Sequence, residues 1–316
     1  MTNELAIATK RLTKQFDRHI AVNDVELEVK SGEVYGLIGP NGAGKTTLIR
    51  MLAATEEPTA GEIYLYGDRL VRDDTNPRLK QSIGYLPDDF PLYDDLTVWD
   101  YLDYFARLYK LKDSRRRRRL YDVLELVELT TKRYSAISTL SRGMKQRLGL
   151  ARTIIHEPIL LLLDEPVSGL DPIARLQFRE IIKALQGNGM TILISSHVLS
   201  DLAELCSSVG IMELGYLVES ASLEQLYQRL SKQQIILSTL GDLEALKREL
   251  KHNSLVEEWE VLPEGKSLRV NFSGTTEESA QLLRSLVESG IPLTQFNSQR
   301  EDLESIFLKL GHKQVS

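Results

Sequence analysis

The stretch "GPNGAGKTT", Gly39–Thr47, constrains this chain more than any other. It fits the pattern G-x-x-x-x-G-K-[ST] of a phosphate-binding loop. An apolar run, "EVYGLIG" (Glu33–Gly39), leads into it as a strand, and "TLIRMLAA" continues it as a helix. Gly39, Gly42 and Gly44 let the backbone turn sharply, so that its N–H groups, with those of Asn41, Ala43 and Thr47, face an anion. The helix N-terminus adds partial positive charge. Lys45 can reach the β- and γ-phosphates of a nucleotide, and the Thr46 hydroxyl can ligate Mg²⁺.

Two further apolar runs, "ILLLLDE" (Ile159–Glu165) and "MTILISSH" (Met190–His197), have the length of buried strands. Continuous apolar strands separated by helical patterns predict a parallel sheet covered on both faces, hence an α/β fold. Ligands of such sheets bind at the C-terminal strand ends. There the first run delivers Asp164, a carboxylate for Mg²⁺, and then Glu165, which can orient or deprotonate an attacking water. Successive strand residues point to opposite faces, so both can serve one site only if the chain bends there. The second run delivers His197 at a comparable strand end.

The chain has 316 residues, enough for two domains, and at 42% hydrophobic it can build a sizeable core. A net charge of −6 argues against nonspecific nucleic-acid binding. The single cysteine, Cys206, cannot form an internal disulfide, which suits a reducing cytosol. No apolar stretch approaches the roughly 20 residues that span a bilayer, and the first residues carry no signal-like run. We therefore expect a soluble chain that meets a membrane only through a partner.

The expected nucleotide-binding domain covers 1–219. Its segment 89–157 reads as a helical subdomain with helices in "LTVWDYLDYFARLYKL" and "RRRRRLYDVLELVEL". The aromatics of "FPLYDDLTVWDYLDYF" read first as local core and second as a docking groove. Arg115–Arg119 wrap around a helix, so they read first as a solvated face, second as a contact for anionic lipid headgroups and third, given the acidic whole, as a contact for nucleic acid. Residues 220–316 form an accessory α+β module of alternating strand and helix patterns that suggests the split βαβ arrangement, ending in a helix "EDLESIFLKLG".

Taken together and in order, these motifs resemble the ATPase subunits of ATP-binding cassette (ABC) transporters over about Leu5 to Gly215. The resemblance identifies "GPNGAGKTT" with the Walker A motif, "ILLLLDEP" with Walker B, "LSRGM" (Leu140–Met144) with the signature motif, "SGLD" (Ser168–Asp171) with the D-loop and His197 with the switch histidine. It implies that Phe16 stacks on adenine, and that Asp88 in "IGYLPDDF" stands at the position of the Q-loop glutamine, close to Mg²⁺ and the attacking water. The implied fold is a P-loop NTPase of ABC type, with a mixed sheet core and a helical subdomain. The implied ligands are ATP and Mg²⁺. The implied partners are an integral membrane permease and a second copy of the chain, paired so that Ser141 and Gly143 of one copy meet the γ-phosphate held by the other. Drug, polysaccharide and gliding-motility exporters are the subtype it resembles, which implies a position at the inner face of the cell membrane. Two departures stand out. Arg142 and Met144 replace a glycine and a glutamine of the usual signature, and Asp88 only accepts hydrogen bonds where glutamine also donates. A soluble ABC ATPase acting as a switch on nucleic acid or ribosomes is the alternative reading, and a regulatory protein with little turnover is a further one.

Overall fold

The computed structural model describes residues 4–71, 76–198, 202, 204–230, 233–262 and 267–300. The chain divides into two compact units, Met1–Leu223 and Glu224–Ser316.

The first unit opens with an antiparallel sheet that sequence reading had not singled out. Its strands are β1 (Leu5–Phe16), β2 (His19–Val25), β3 (Glu28–Lys30), β5 (Ala60–Leu65) and β6 (Asp68–Arg69), in the order β2-β1-β5-β6 with β3 also on β1. Register shifts interrupt the pairing of β1 with β2, with β3 and with β5. Such irregularities break the alternation of buried and exposed residues on which a strand's recognition depends. Phe16 ends β1.

Beside it runs the six-stranded sheet. Its members are β4 (Val34–Ile38), β7 (Ile83–Leu86), β8 (Leu160–Leu163), β9 (Thr191–Ser196), β10 (Ser208–Glu213) and β11 (Tyr216–Ser222), in the order β11-β10-β4-β9-β8-β7. All neighbours are parallel except β10 and β11. Every residue of β4, β8 and β9 is buried, as two covered faces require. β9 lies between β4 and β8, and the parallel direction brings the C-terminal ends of β4, β7, β8 and β9 to one edge. Helices α1 (Lys45–Leu52), α2 (Pro77–Gln81) and α6 (Pro172–Gly187) belong to this layer.

The helical region contains α3 (Val98–Leu108), α4 (Asp113–Leu126) and α5 (Arg142–Ile154), with no strand but one isolated bridge between Thr97 and Ala136. Its aromatics divide between both readings: Tyr101 is fully buried, whereas Tyr93 and Tyr104 are about half exposed. The basic run is not simply a solvated face. Arg119 donates to the carbonyls of Ile154 and Ile155 at 2.6 and 3.2 Å, satisfying acceptors at the C-terminal end of α5. Arg147 of α5 returns the favour to α4, donating to Val127 O at 2.9 Å.

The second unit contains α7 (Leu223–Leu230) at the junction, then β12 (Gln233–Thr239), α8 (Leu243–Lys251), β13 (Val256–Val261), β14 (Ser267–Phe272), α9 (Thr276–Glu288) and β15 (Leu293–Arg300). The sheet is antiparallel in the order β13-β14-β12-β15, which is the split βαβ arrangement. Ile235, Leu237, Leu268 and Val270 alternate along β12 and β14 and meet Leu246, Leu250, Leu282 and Leu286 of the helices. Thr275 and Glu278 form a reciprocal capping box that starts α9. The expected terminal helix "EDLESIFLKLG", 301–311, lies outside the described residues.

Candidate active site

The loop between β4 and α1 is shaped by close approach as much as by conformation. Gly44 has φ +103°, and a Cβ there would stand 2.2 Å from Ala21 O, so no other residue fits. Lys45 lies buried over the loop, its Nζ donating to Gly39 O at 2.6 Å and to Pro40 O at 3.2 Å. A cleft of about 330 Å³ opens here. Asn41, Gly42, Ala43, Gly44, Lys45, Thr46 and Thr47 line it together with Phe16, Asp88 and Glu165. Residues from four separate stretches of sequence thus converge on one cavity. His19 and Ala21 of β2 complete the lining. Sequence reasoning missed both; the register pairing of His19 with Phe16 is what brings the histidine there. Phe16 is 43% exposed, with the Lys14 ammonium 4.7 Å from its ring centroid. A half-open aromatic face at a cleft mouth can take a flat ring.

After β8 the chain does bend, as serving one site with both carboxylates requires. Glu165 has φ +48°, in the left-handed region that non-glycine residues seldom occupy. Asp164 stays behind it, 1% exposed, its Oδ1 accepting from Ser195 Oγ at 2.8 Å. The Ser195 hydroxyl in turn accepts from the Glu165 amide at 2.9 Å, bracing the unusual turn. Ser195 was not singled out from the sequence. The signal was present, as a polar residue inside the apolar run that ends in His197. Glu165 Oε2 meets His197 Nδ1 at 2.8 Å, and its Oε1 lies 3.5 Å from Lys45 Nζ. His197 and Glu165, which the sequence places at two different strand ends, are therefore in direct contact.

Burial pushes the pKa of Asp164 above the usual carboxylate range. The Ser195 and Thr46 hydroxyls oppose the rise, and the charges of Glu165 and Asp88 add to it. Asp164 Oδ2 and Glu165 Oε1 are buried and have no hydrogen-bond partner. Asp164 Oδ2, buried next to the Thr46 hydroxyl, suits a hard cation, whereas Glu165 Oε1 faces the Lys45 ammonium. Among the described residues no cluster of three or more acidic, histidine or cysteine side chains is built as a metal cage. A magnesium-like ion, which keeps waters and binds one or two carboxylates plus phosphate oxygens, fits this donor set.

Ser141 and Gly143 are not among the residues that line this cleft. Ser141 caps α5 by accepting from the Met144 amide at 3.3 Å. Gly143 is buried, and a Cβ there would stand 2.7 Å from Ala174 Cβ, so glycine lets α5 pack onto the start of α6. Arg142 is not idle in its unusual place. It donates to Ser168 O at 3.0 Å, and its guanidinium fills the space where a side chain at Gly169 would go. The signature and D-loop stretches are thereby tied together within one chain.

Among the described residues no helix is long and apolar enough to cross a membrane. A family model described as ABC transporter matches residues 22–168. Over 98% of its length the chain is 34% identical to the bacitracin transport ATP-binding protein BcrA of Enterococcus faecalis, covering 97% of that protein. Over 96% of its length it is 31% identical to the linearmycin resistance ATP-binding protein LnrL of Bacillus subtilis strain 168, covering 97% of that protein. The solved structure of cbiO1 from Clostridium perfringens, part of the ABC transporter complex cbiONQ, has the same fold over 71% of this chain and 91% of its own, with TM-score 0.66 and 24% identity. The chain belongs to the ABC transporter family, as an ATP-binding and ATP-hydrolysing subunit that works with a membrane permease.

Proposed function

We propose that this subunit hydrolyses MgATP between two copies of itself at the inner face of the cell membrane and drives the export of a drug-like compound through its permease. The convergence of Phe16, the P-loop, Asp88 and Glu165 on one cleft carries this reading. Relatives named for bacitracin transport and linearmycin resistance support the export sense.

In this proposal Phe16 stacks on adenine, and Lys45 with the loop amides from Gly39 to Thr47 holds the phosphates. Lys45 must first leave Gly39 O and Pro40 O, exchanging two carbonyl acceptors for phosphate oxygens. Thr46, Asp164 and, through water, Asp88 would hold Mg²⁺, which when bound neutralises charge on the β- and γ-phosphates. Glu165 accepts a hydrogen bond from the attacking water and draws off its proton as the water oxygen bonds to the γ-phosphorus. The bond from that phosphorus to the β–γ bridging oxygen breaks, and ADP keeps the electron pair. His197, already paired with Glu165 Oε2, orients that carboxylate and senses the γ-phosphate. Ser141 and the backbone at Gly143 complete the site of the opposite copy, in an isologous pair. The substitution Glu165→Gln is expected to keep ATP binding, lower turnover by about 10²–10⁴-fold and accumulate an ATP-dependent dimer. Size-exclusion chromatography with and without MgATP reads this directly, and a variant that stays monomeric at saturating MgATP would sink the paired-site reading.

A further inference from the structure

A second cleft, of about 840 Å³, lies between α3 and α4 in the helical region. The five arginines of α4 do not share one fate around it. Arg115 pairs with Glu157, and Arg119 is spent on the end of α5. Arg116 is clamped between Asp103 and Asp113 at 2.8 and 2.7 Å. Arg117 and Arg118 line the cleft, are exposed, and have no ion-pair partner among the described residues. With Arg107, four arginines face two aspartates there, a local positive excess in a chain whose net charge is −6. Aromatic side chains line it as well: Trp99 of α3 and Tyr121, one turn beyond Arg117 on α4, lie 5.1 Å apart between ring centroids, and Tyr121 is 43% exposed.

We propose that this cleft binds the headgroup of an anionic phospholipid, with the phosphodiester on Arg117 and Arg118 and the glycerol and upper acyl carbons against Trp99 and Tyr121. Free guanidiniums select an anion. A Trp–Tyr wall beside them favours an amphipathic anion over a small solvated one, because such rings sit where headgroup meets hydrocarbon. The cleft shares no residue with the nucleotide cleft. Lipid binding here rests only on the chain's place beside a membrane permease and would add a direct membrane contact to the one made through that partner. The anchoring would be peripheral, since a few basic residues hold a chain at an acidic surface reversibly.

The test is flotation of the full chain, without nucleotide, on vesicles of phosphatidylcholine alone or of equimolar phosphatidylcholine and phosphatidylglycerol. The expected result is binding to the anionic vesicles only, weakened about 25-fold in Arg117→Gln/Arg118→Gln, since each charge near an acidic surface is worth about fivefold. A charge-matched control, Lys30→Gln/Lys251→Gln, removes two exposed lysines outside the cleft and should bind as the unaltered chain does. Tyr121→Ala should weaken vesicle binding as well, because the apolar wall is part of the site. ATP hydrolysis by the arginine variant should be unchanged, which certifies its fold and separates failure of this proposal from failure of the nucleotide-site reading. Equal loss in the lysine control would make the effect one of overall charge and overturn the proposal. Release of bound chain by millimolar inorganic phosphate would overturn it too, in favour of a small-anion site.

Discussion

The P-loop cleft and the signature stretch differ in how their polar groups are satisfied. At the cleft, Asp164 Oδ2 and Glu165 Oε1 are buried without hydrogen-bond partners, and Lys45 is turned onto its own loop. At the signature stretch, Ser141 caps α5, Arg142 binds Ser168 O and Gly143 packs against Ala174. One region carries acceptors that call for a cation and phosphate. The other is braced by its own chain and presents a finished surface outwards. In the proposed pairing of two copies, the first region would reorganise on binding while the second is already organised, and such preorganisation lowers the ordering cost of association.

The comparison can be broken first at the brace under the cleft. Ser195 is fully buried and bonds both Asp164 Oδ1 and the Glu165 amide. Ser195→Ala leaves both without that partner and is expected to cost about 2 kcal/mol in urea unfolding. Turnover should fall with it, because the left-handed turn at Glu165 loses its support. Unchanged turnover at reduced stability would show that the turn holds itself.

A smaller effect, of the opposite sign, is expected at Asp164. Its pKa in the folded chain is raised, mainly by burial, so the ionised form is penalised relative to the unfolded chain. That penalty is complete above the folded-state pKa and disappears as pH falls below the unfolded value of about 3.9. Asp164→Asn should therefore raise the melting temperature of the nucleotide-free chain near neutral pH, and the gain should vanish in acid. The same variant should lose the further stabilisation that MgATP gives the unaltered chain. A gain from MgATP as large as before would mean that Asp164 is not a cation ligand.

The smallest effect belongs to the signature side. Arg142→Gly removes one exposed hydrogen bond to Ser168 O, worth about 0.5–1.5 kcal/mol. Because Arg142 touches the D-loop stretch and not the P-loop, nucleotide affinity should stay the same while turnover falls severalfold. Arg142→Lys, which keeps the charge and can still donate, should restore part of it. Equal changes in affinity and turnover would erase the distinction between the two regions.

How far the site could be read beforehand depended on how local its causes were. The P-loop is a contiguous stretch whose glycines, lysine and threonine act within a few residues of each other, and its lining role was legible residue by residue. Asp164 and Glu165 were legible because an apolar run had to end there. The antiparallel sheet that presents Phe16 was not, because the register shifts of β1 erase the period on which strand recognition depends. In the helical region, five identical arginines could not be told apart by spacing. Asp103, Asp113 and Glu157 engage Arg115 and Arg116, the carbonyls at the end of α5 take Arg119, and Arg117 and Arg118 keep no ion-pair partner among the described residues.

The sequence by itself determined the phosphate loop, the apolar strands of the central sheet, the acidic pair at a strand end and the βαββαβ rhythm of the second unit. Each follows from backbone chemistry or periodicity within a short window. Only the tertiary structure decided that β9 lies between β4 and β8, so that Ser195 braces the carboxylates and His197 reaches Glu165. It alone tied Arg142 to the D-loop stretch and left Arg117 and Arg118 facing an open cleft. The physical reason is the same in each case: periodicity tells a residue which face it lies on, whereas its partner is chosen by strand order and helix packing across the whole fold.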